Sequence, residues 1–148
     1  MATPLRRVIT GTNADGQSCI LIDDLTPGRI WRTHETPADN SGTEDTAGDS
    51  TMSFPTEGSS FGFYDFPADN KVFLHATDTL DYVVVVSGEI TLVTQTGEAT
   101  LRAGDVAVDR GIIHGWRNDS GAPCRVVSVM LPSLPVGKGA TVTGTLKR

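Results

Sequence analysis

Two of the chain's three histidines, His75 and His114, fall within one strand-rich stretch, residues 72–118, and Asp81 stands between them at the head of a run of valines. Alternate residues of a strand share a face, so His75 and Thr77 point the same way, while Asp81 keeps company with Val83 and Val85. A carboxylate alternating with valines is informative. Aspartate is rare in a buried position unless something pairs with it, and a divalent cation is one such partner. Imidazoles and carboxylates also move protons near neutral pH. The third histidine, His34, lies in the polar run W-R-T-H-E-T-P and reads as a surface residue.

The elements that would position these groups are strands. Residues 7–10, 18–22 and 28–33 are short β-prone pieces separated by the turn formers G-T-N-A-D-G and T-P-G. Residues 36–60 change character: Pro37, Gly42, Gly48, Pro55 and Gly58 punctuate a polar run with five carboxylates and no basic residue. Such a run buries too little apolar surface to order itself, and is expected to be a mobile insertion or a cover for the site. Strands then follow at 61–66, 71–75, 81–86, 89–94, 99–102, 106–108, 112–117 and 124–131, with Gly or Pro turns between them. The run 81–86 is apolar enough to predict burial on both faces. No helical period is sustained anywhere, so the expected class is all-β, a sandwich or barrel. Residues 132–148 form a Gly- and Thr-rich tail expected to be loosely ordered.

Composition narrows the functions. The chain has 148 residues, most simply one domain, and its 12 basic against 18 acidic residues leave a net charge of −6. No basic stripe could neutralise phosphates, which argues against a nucleic-acid partner. No run of about 18 apolar residues or signal-peptide-like start occurs, so no membrane partner is expected and the default location is cytoplasmic. Cys19 and Cys124 stand far apart in separate apolar strands, as unpaired buried cysteines do. There is no G-x-S-x-G elbow, no phosphate-cradling glycine loop and no C-x-x-C pair.

The run from 72 to 118 resembles the cupin superfamily, whose motifs run approximately G-x5-H-x-H-x3,4-E-x6-G and G-x5-P-x-G-x2-H-x3-N. His75 falls on the first histidine, Thr77 on the second, Asp81 on the glutamate and Gly88 on the closing glycine. In the second motif Gly104 opens, Arg110 stands at the proline position, His114 is the histidine and Asn118 the asparagine. The resemblance implies a single jelly-roll β-barrel over residues 61–131, with N-terminal strands over 1–35 as a possible dimer arm, an acidic loop over 36–60 and a homodimeric assembly. It also implies that His75, Asp81 and His114 converge as the ligands of a divalent metal, Fe, Mn, Ni, Co or Zn. Two imidazoles and a carboxylate are the ligand set of an open Fe(II) site. Thr77 supplies no nitrogen ligand, but its hydroxyl could hold a substrate oxygen.

Around these groups Tyr64 and Arg110 are pocket candidates, Arg110 as a bidentate grip for a substrate carboxylate or simply a surface charge beside Asp109. Phe73 and Trp116 are expected to face away from the histidines and pack as core. The leading expectation is a small enzyme acting on a carbonyl-bearing or phenolic metabolite. In it a metal polarises oxygen and a side chain moves a proton, as isomerases, decarboxylases, dehydratases and cyclases do; an Fe(II) dioxygenase is the redox version. The alternative is a metal-free or non-catalytic ligand-binding protein in which His75 and His114 are core histidines bonded to Asp81, Thr77 or backbone.

Overall fold

The computed structural model describes residues 3–48, 54–136 and the backbone of 141–142. All regular structure in it is strand: β1 (Leu5–Thr12), β2 (Ser18–Thr26), β3 (Arg29–Thr33), β4 (Ser59–Phe66), β5 (Ala76–Thr77), β6 (Thr79–Ser87), β7 (Glu89–Thr94), β8 (Glu98–Arg102), β9 (Val106–Asp109), β10 (His114–Arg117), β11 (Cys124–Pro132) and β12 (Thr141–Val142). Among the described residues no helix is long and apolar enough to cross a membrane. The all-β expectation holds, and two sheets face one another. A five-stranded sheet runs β3-β4-β11-β6-β9 and a three-stranded sheet runs β10-β7-β8. β1 and β2 form a separate antiparallel hairpin, and β5 pairs with β12 in parallel. Most of the C-terminal tail, and residues 49–53 of the acidic loop, lie outside the described residues.

Alternation builds the interior. Val83 and Val85 of β6, Val126 of β11 and Phe66 of β4 face inward from the larger sheet, meeting Ile90 of β7, with Leu101 of β8 and Trp116 of β10 packed against them. This is the jelly-roll arrangement in which each strand gives one face to the core. The expectation that residues 81–86 are buried on both faces is wrong. Tyr82, Val84 and Val86 are exposed, as are Val106 and Val108 on β9, because none of the described residues covers the outer side of the larger sheet there. Apolar side chains on an uncovered face cannot be told from buried ones by composition alone.

The strand expected over 71–75 is also absent as such. Residues 71–74 are exposed and outside any strand, and His75 makes an isolated bridge with His114, each N–H donating to the other's carbonyl at 2.9 Å. The segment is nonetheless pressed against β10: a Cβ on Gly115 would lie 2.6 Å from Val72 Cγ2 and 2.8 Å from the Phe73 carbonyl oxygen. The acidic loop, though it lacks strands from 34 to 48, is tied down. Asp45 accepts from the Arg7 guanidinium at 2.5 and 3.0 Å, Arg29 donates to the Ala47 carbonyl, and Thr46 exchanges hydrogen bonds with the Arg32 backbone.

One glycine holds the turn that follows Asp109 at the end of β9. Gly111 has φ +73°, and a Cβ there would come within 2.4 Å of the Thr77 carbonyl oxygen and 2.9 Å of that of Thr79. Its N–H donates to Asp109 Oδ1 at 3.1 Å and its carbonyl accepts from Thr77 N. Gly111→Ala should therefore cost roughly 2–3 kcal/mol in urea unfolding, whereas Gly97→Ala, where open space surrounds the glycine, should stay within about 0.5 kcal/mol. Equal effects of the two changes would contradict this placement of the turn.

Candidate active site

The site grows out of a register. β6 and β9 are antiparallel, and their pairing sets Asp81 directly opposite Asp109, one rung beyond the inward pair Val83 and Ala107. Opposite residues on one face of an antiparallel pair have Cβ atoms roughly 4.5–5.5 Å apart, so the two carboxyl groups share a small volume. Both are buried. Like charges so placed repel, and the surroundings resolve the repulsion differently for each.

Asp109 is answered by His114. Nε2 of His114 lies 2.7 Å from Asp109 Oδ2, with side chains only 3% and 2% exposed. The contact is an ion pair rather than an aligned hydrogen bond, since Oδ2 has no donor in good hydrogen-bond geometry. On the other side of the ring, Nδ1 donates to the Ile112 carbonyl at 2.6 Å. Burial pulls the His114 imidazole toward neutrality, but the Asp109 carboxylate and the Ile112 carbonyl outweigh it, and the net shift is upward. Both ring nitrogens therefore carry hydrogen when this imidazole is charged, and both are committed.

Asp81 is answered by a proton. Its Oδ1 is buried without a hydrogen-bond partner, and desolvation, reinforced by Asp109 and opposed by Thr79 and His114, pushes its pKa up to about 6. The Thr79 hydroxyl donates to Thr77 Oγ1 at 3.1 Å.

His75 behaves in the opposite sense to His114. Its Nδ1 donates to the Phe73 carbonyl at 2.8 Å, which leaves Nε2 as the free nitrogen. Desolvation lowers its pKa, the Phe73 carbonyl opposes this, and the neighbouring His114 lowers it further. The two rings sit 4.6 Å apart between centroids.

His75, Asp81 and His114 line one cavity of about 340 Å³ together with Tyr64, Phe66, Phe73 and Trp116. Of the other expected pocket residues, Tyr64 is in this wall, whereas Thr77 is fully buried beside Thr79 and Arg110 lines a different cavity with Leu92, Val108 and Ile112. Phe73 and Trp116, expected to face away, line the cavity as well. Each stands two residues from a histidine, and period two puts them on the same side. Phe73 is 64% exposed, and its ring stacks on that of His75 at 5.3 Å and 16°. Asp109 was not singled out as a site residue. Its signal was the alternation of Val106 to Asp109, which turns Asp109 inward with Ala107.

The expected metal ligands share a wall, but they do not make a ligand cluster. Among the described residues no three His, Cys, Asp or Glu side chains gather closely enough to hold a metal ion. The donor chemistry agrees: in this arrangement His114 Nε2 faces Asp109 Oδ2 at 2.7 Å rather than an open position. As arranged, these residues do not fit a three-ligand centre.

Over 161 aligned residues the chain is 32% identical to a cupin-domain-containing oxidoreductase of Neurospora crassa, covering 95% of this chain and 82% of that protein. The chain belongs to the cupin family. The cupin-domain profile matches residues 65–130. A second cupin-domain-containing oxidoreductase, from Hypocrea virens, is 30% identical over 149 residues, 88% of this chain and 77% of that one. Phomopsin biosynthesis cluster protein D of Diaporthe leptostromiformis is 42% identical over 81 residues, so this cupin spans only 43% of that relative's length. Among solved structures, a protein with a double-stranded β-helix domain from Klebsiella pneumoniae aligns at TM-score 0.49 and 23% identity, over 63% of this chain and 85% of that one.

Asp81 gives the site a pH signature. Its folded pKa lies above the ordinary 3.8, so the fold binds this proton more tightly than the unfolded chain does. That stabilisation is complete below about pH 4 and is lost as pH rises through about 6, a change on the order of 3 kcal/mol. Asp81→Asn should lack it, so its stability should gain on the wild type across that window in urea unfolding at several pH values. Parallel pH curves for the two proteins would refute the buried, raised carboxyl.

Proposed function

We propose that this cupin is an acid–base enzyme for a small carbonyl-bearing or phenolic molecule, with His75 as the base and Asp81 as the acid. The observation that carries the reading is that environment drives these two cavity-lining groups in complementary directions: a histidine biased toward neutrality with a free Nε2, and a carboxyl group that holds its proton up to about pH 6 with an unpartnered oxygen. Groups whose surroundings push them in such directions divide naturally into base and acid. His75 Nε2 takes a proton from the carbon next to a carbonyl, while Asp81 gives its proton to the carbonyl oxygen. The result is an enol. On an α-hydroxycarbonyl this enol is an enediol, and returning the proton to the former carbonyl carbon while the Asp81 carboxylate takes the hydrogen of the other hydroxyl completes an isomerisation.

Carried through on an α-hydroxycarbonyl, the same transfers oxidise the hydroxyl-bearing carbon and reduce the carbonyl carbon. This internal redox change needs no external electron acceptor. It accords with relatives named cupin-domain-containing oxidoreductases. The buried Asp109–His114 pair touches no substrate in this scheme; it fixes the charges behind the acid and the base.

Solution exchange tests the chemistry. In D₂O with chelator present, the protein should catalyse deuterium uptake at the α-carbon of hydroxyacetophenone, followed by NMR, and His75→Gln should slow it about 100-fold or more. Because His75 must be neutral and Asp81 protonated, the rate should fall as pH rises above about 6. Exchange that is absent, or that survives His75→Gln unchanged, would sink the assignment.

The same reading extends to assembly as a homodimer. It is supported by the exposed apolar side chains Tyr82, Val84, Val106 and Val108 on the outer sheet face, and Val8, Ile20 and Leu25 on the β1–β2 hairpin. Light scattering should give about twice the chain mass of 15.7 kDa, and Val84→Asp should halve it. A wild-type monomer would contradict this.

A further inference from the structure

The segment from Asn70 to His75 lies alongside β10 in the opposite direction. Asn118 N donates to the Asn70 carbonyl and Asn70 Nδ2 to the Trp116 carbonyl at one end, and His75 bridges His114 at the other. Beyond Asn70, which lines the cavity at its end, the segment alternates: Lys71, Phe73 and His75 line the cavity, and Val72 and Leu74 do not. Lys71 and His75 are therefore two ends of one wall, separated by four residues of extended chain or roughly 13 Å at about 3.3 Å each.

The wall between those ends is flat and aromatic. Phe73 stacks on His75, and Trp116 packs near Phe66 at 5.9 Å on the opposing strands. Among the described residues Lys71 is the only lysine or arginine lining the cavity. On a protein of net charge −6, Lys71 places a cation at that end of the slot.

Building on the acid–base reading of the cavity, we infer that its ligand is a flat aromatic or conjugated carboxylate, with the carboxylate paired to Lys71 and the reacting oxygen at the other end of the wall, by His75 and Asp81. The cavity of about 340 Å³ accommodates such a molecule, near the lower end of the roughly 300–1,000 Å³ usual for small-ligand pockets. Lys71 is exposed, so replacing it leaves the fold intact.

Isothermal titration with cinnamate and its neutral counterpart cinnamyl alcohol tests this on the wild type, Lys71→Met and Lys71→Arg. Cinnamate should bind the wild type more tightly than the alcohol. Lys71→Met should weaken cinnamate about tenfold and leave the alcohol unchanged, while Lys71→Arg should retain most of the preference. Added salt should weaken cinnamate binding to the wild type more than to Lys71→Met. Equal binding of acid and alcohol to the wild type, or indifference of cinnamate to Lys71→Met, would overturn the role of Lys71 while leaving the cavity as a ligand site. Failure of both probes to bind the wild type would overturn the ligand site as well.

Discussion

Two aspartates facing one another across a closed interior set the terms for the rest of this site. The β6–β9 register puts Asp81 and Asp109 side by side on the core-facing side of the larger sheet, where water cannot screen them. Two bare carboxylates so placed would cost several kcal/mol. The chain meets that cost with one cation and one proton. His114 swings its Nε2 to Asp109, held from behind by the Ile112 carbonyl, and Asp81 keeps its hydrogen up to about pH 6. Burial draws His75 toward its neutral form, and a charged His114 at 4.6 Å adds to that, so below about pH 6 an imidazole biased to neutrality stands beside a protonated acid.

This division explains why the histidines and the aspartate that the cupin motifs supply do not gather as a metal centre. A motif reports which residue types stand at which spacing; it does not report what lies across the next strand. Asp109 belongs to neither motif, yet it occupies the nitrogen that a metal would need. The substitution of threonine at position 77 acts in the same direction. Where the family pattern has a second imidazole, this chain has a hydroxyl turned to Thr79 and away from the cavity.

The strand rhythm made most of the fold legible, because period-two alternation and Gly turns encode local geometry directly. β7 matched over its full span, and β8, β9 and β11 to within one residue at either end. Sidedness was less legible. Tyr82, Val84 and Val86 look like core by composition, and only the missing second layer leaves them outside. His75, Asp81 and Tyr64 were readable as cavity residues, since each sits on an inward position of its own segment. Arg110 was not, because one residue after Asp109 the chain has turned to the other side. Asp109 itself depends on a register between strands more than twenty residues apart in sequence, which local patterns do not specify.

The protonation states of the two imidazoles decide the roles of base and acid. Long-range ¹H–¹⁵N NMR of the histidine rings from pH 4 to 9, with His34→Gln used to assign the third, reads both tautomer and titration. His75 should titrate below the ordinary 6.5 and carry its hydrogen on Nδ1 when neutral, and His114 should titrate above 6.5 with both nitrogens protonated at neutral pH. Titration of the two together, or in the reverse order, would contradict the pairing of Asp109 with His114 and the roles of base and acid built on it.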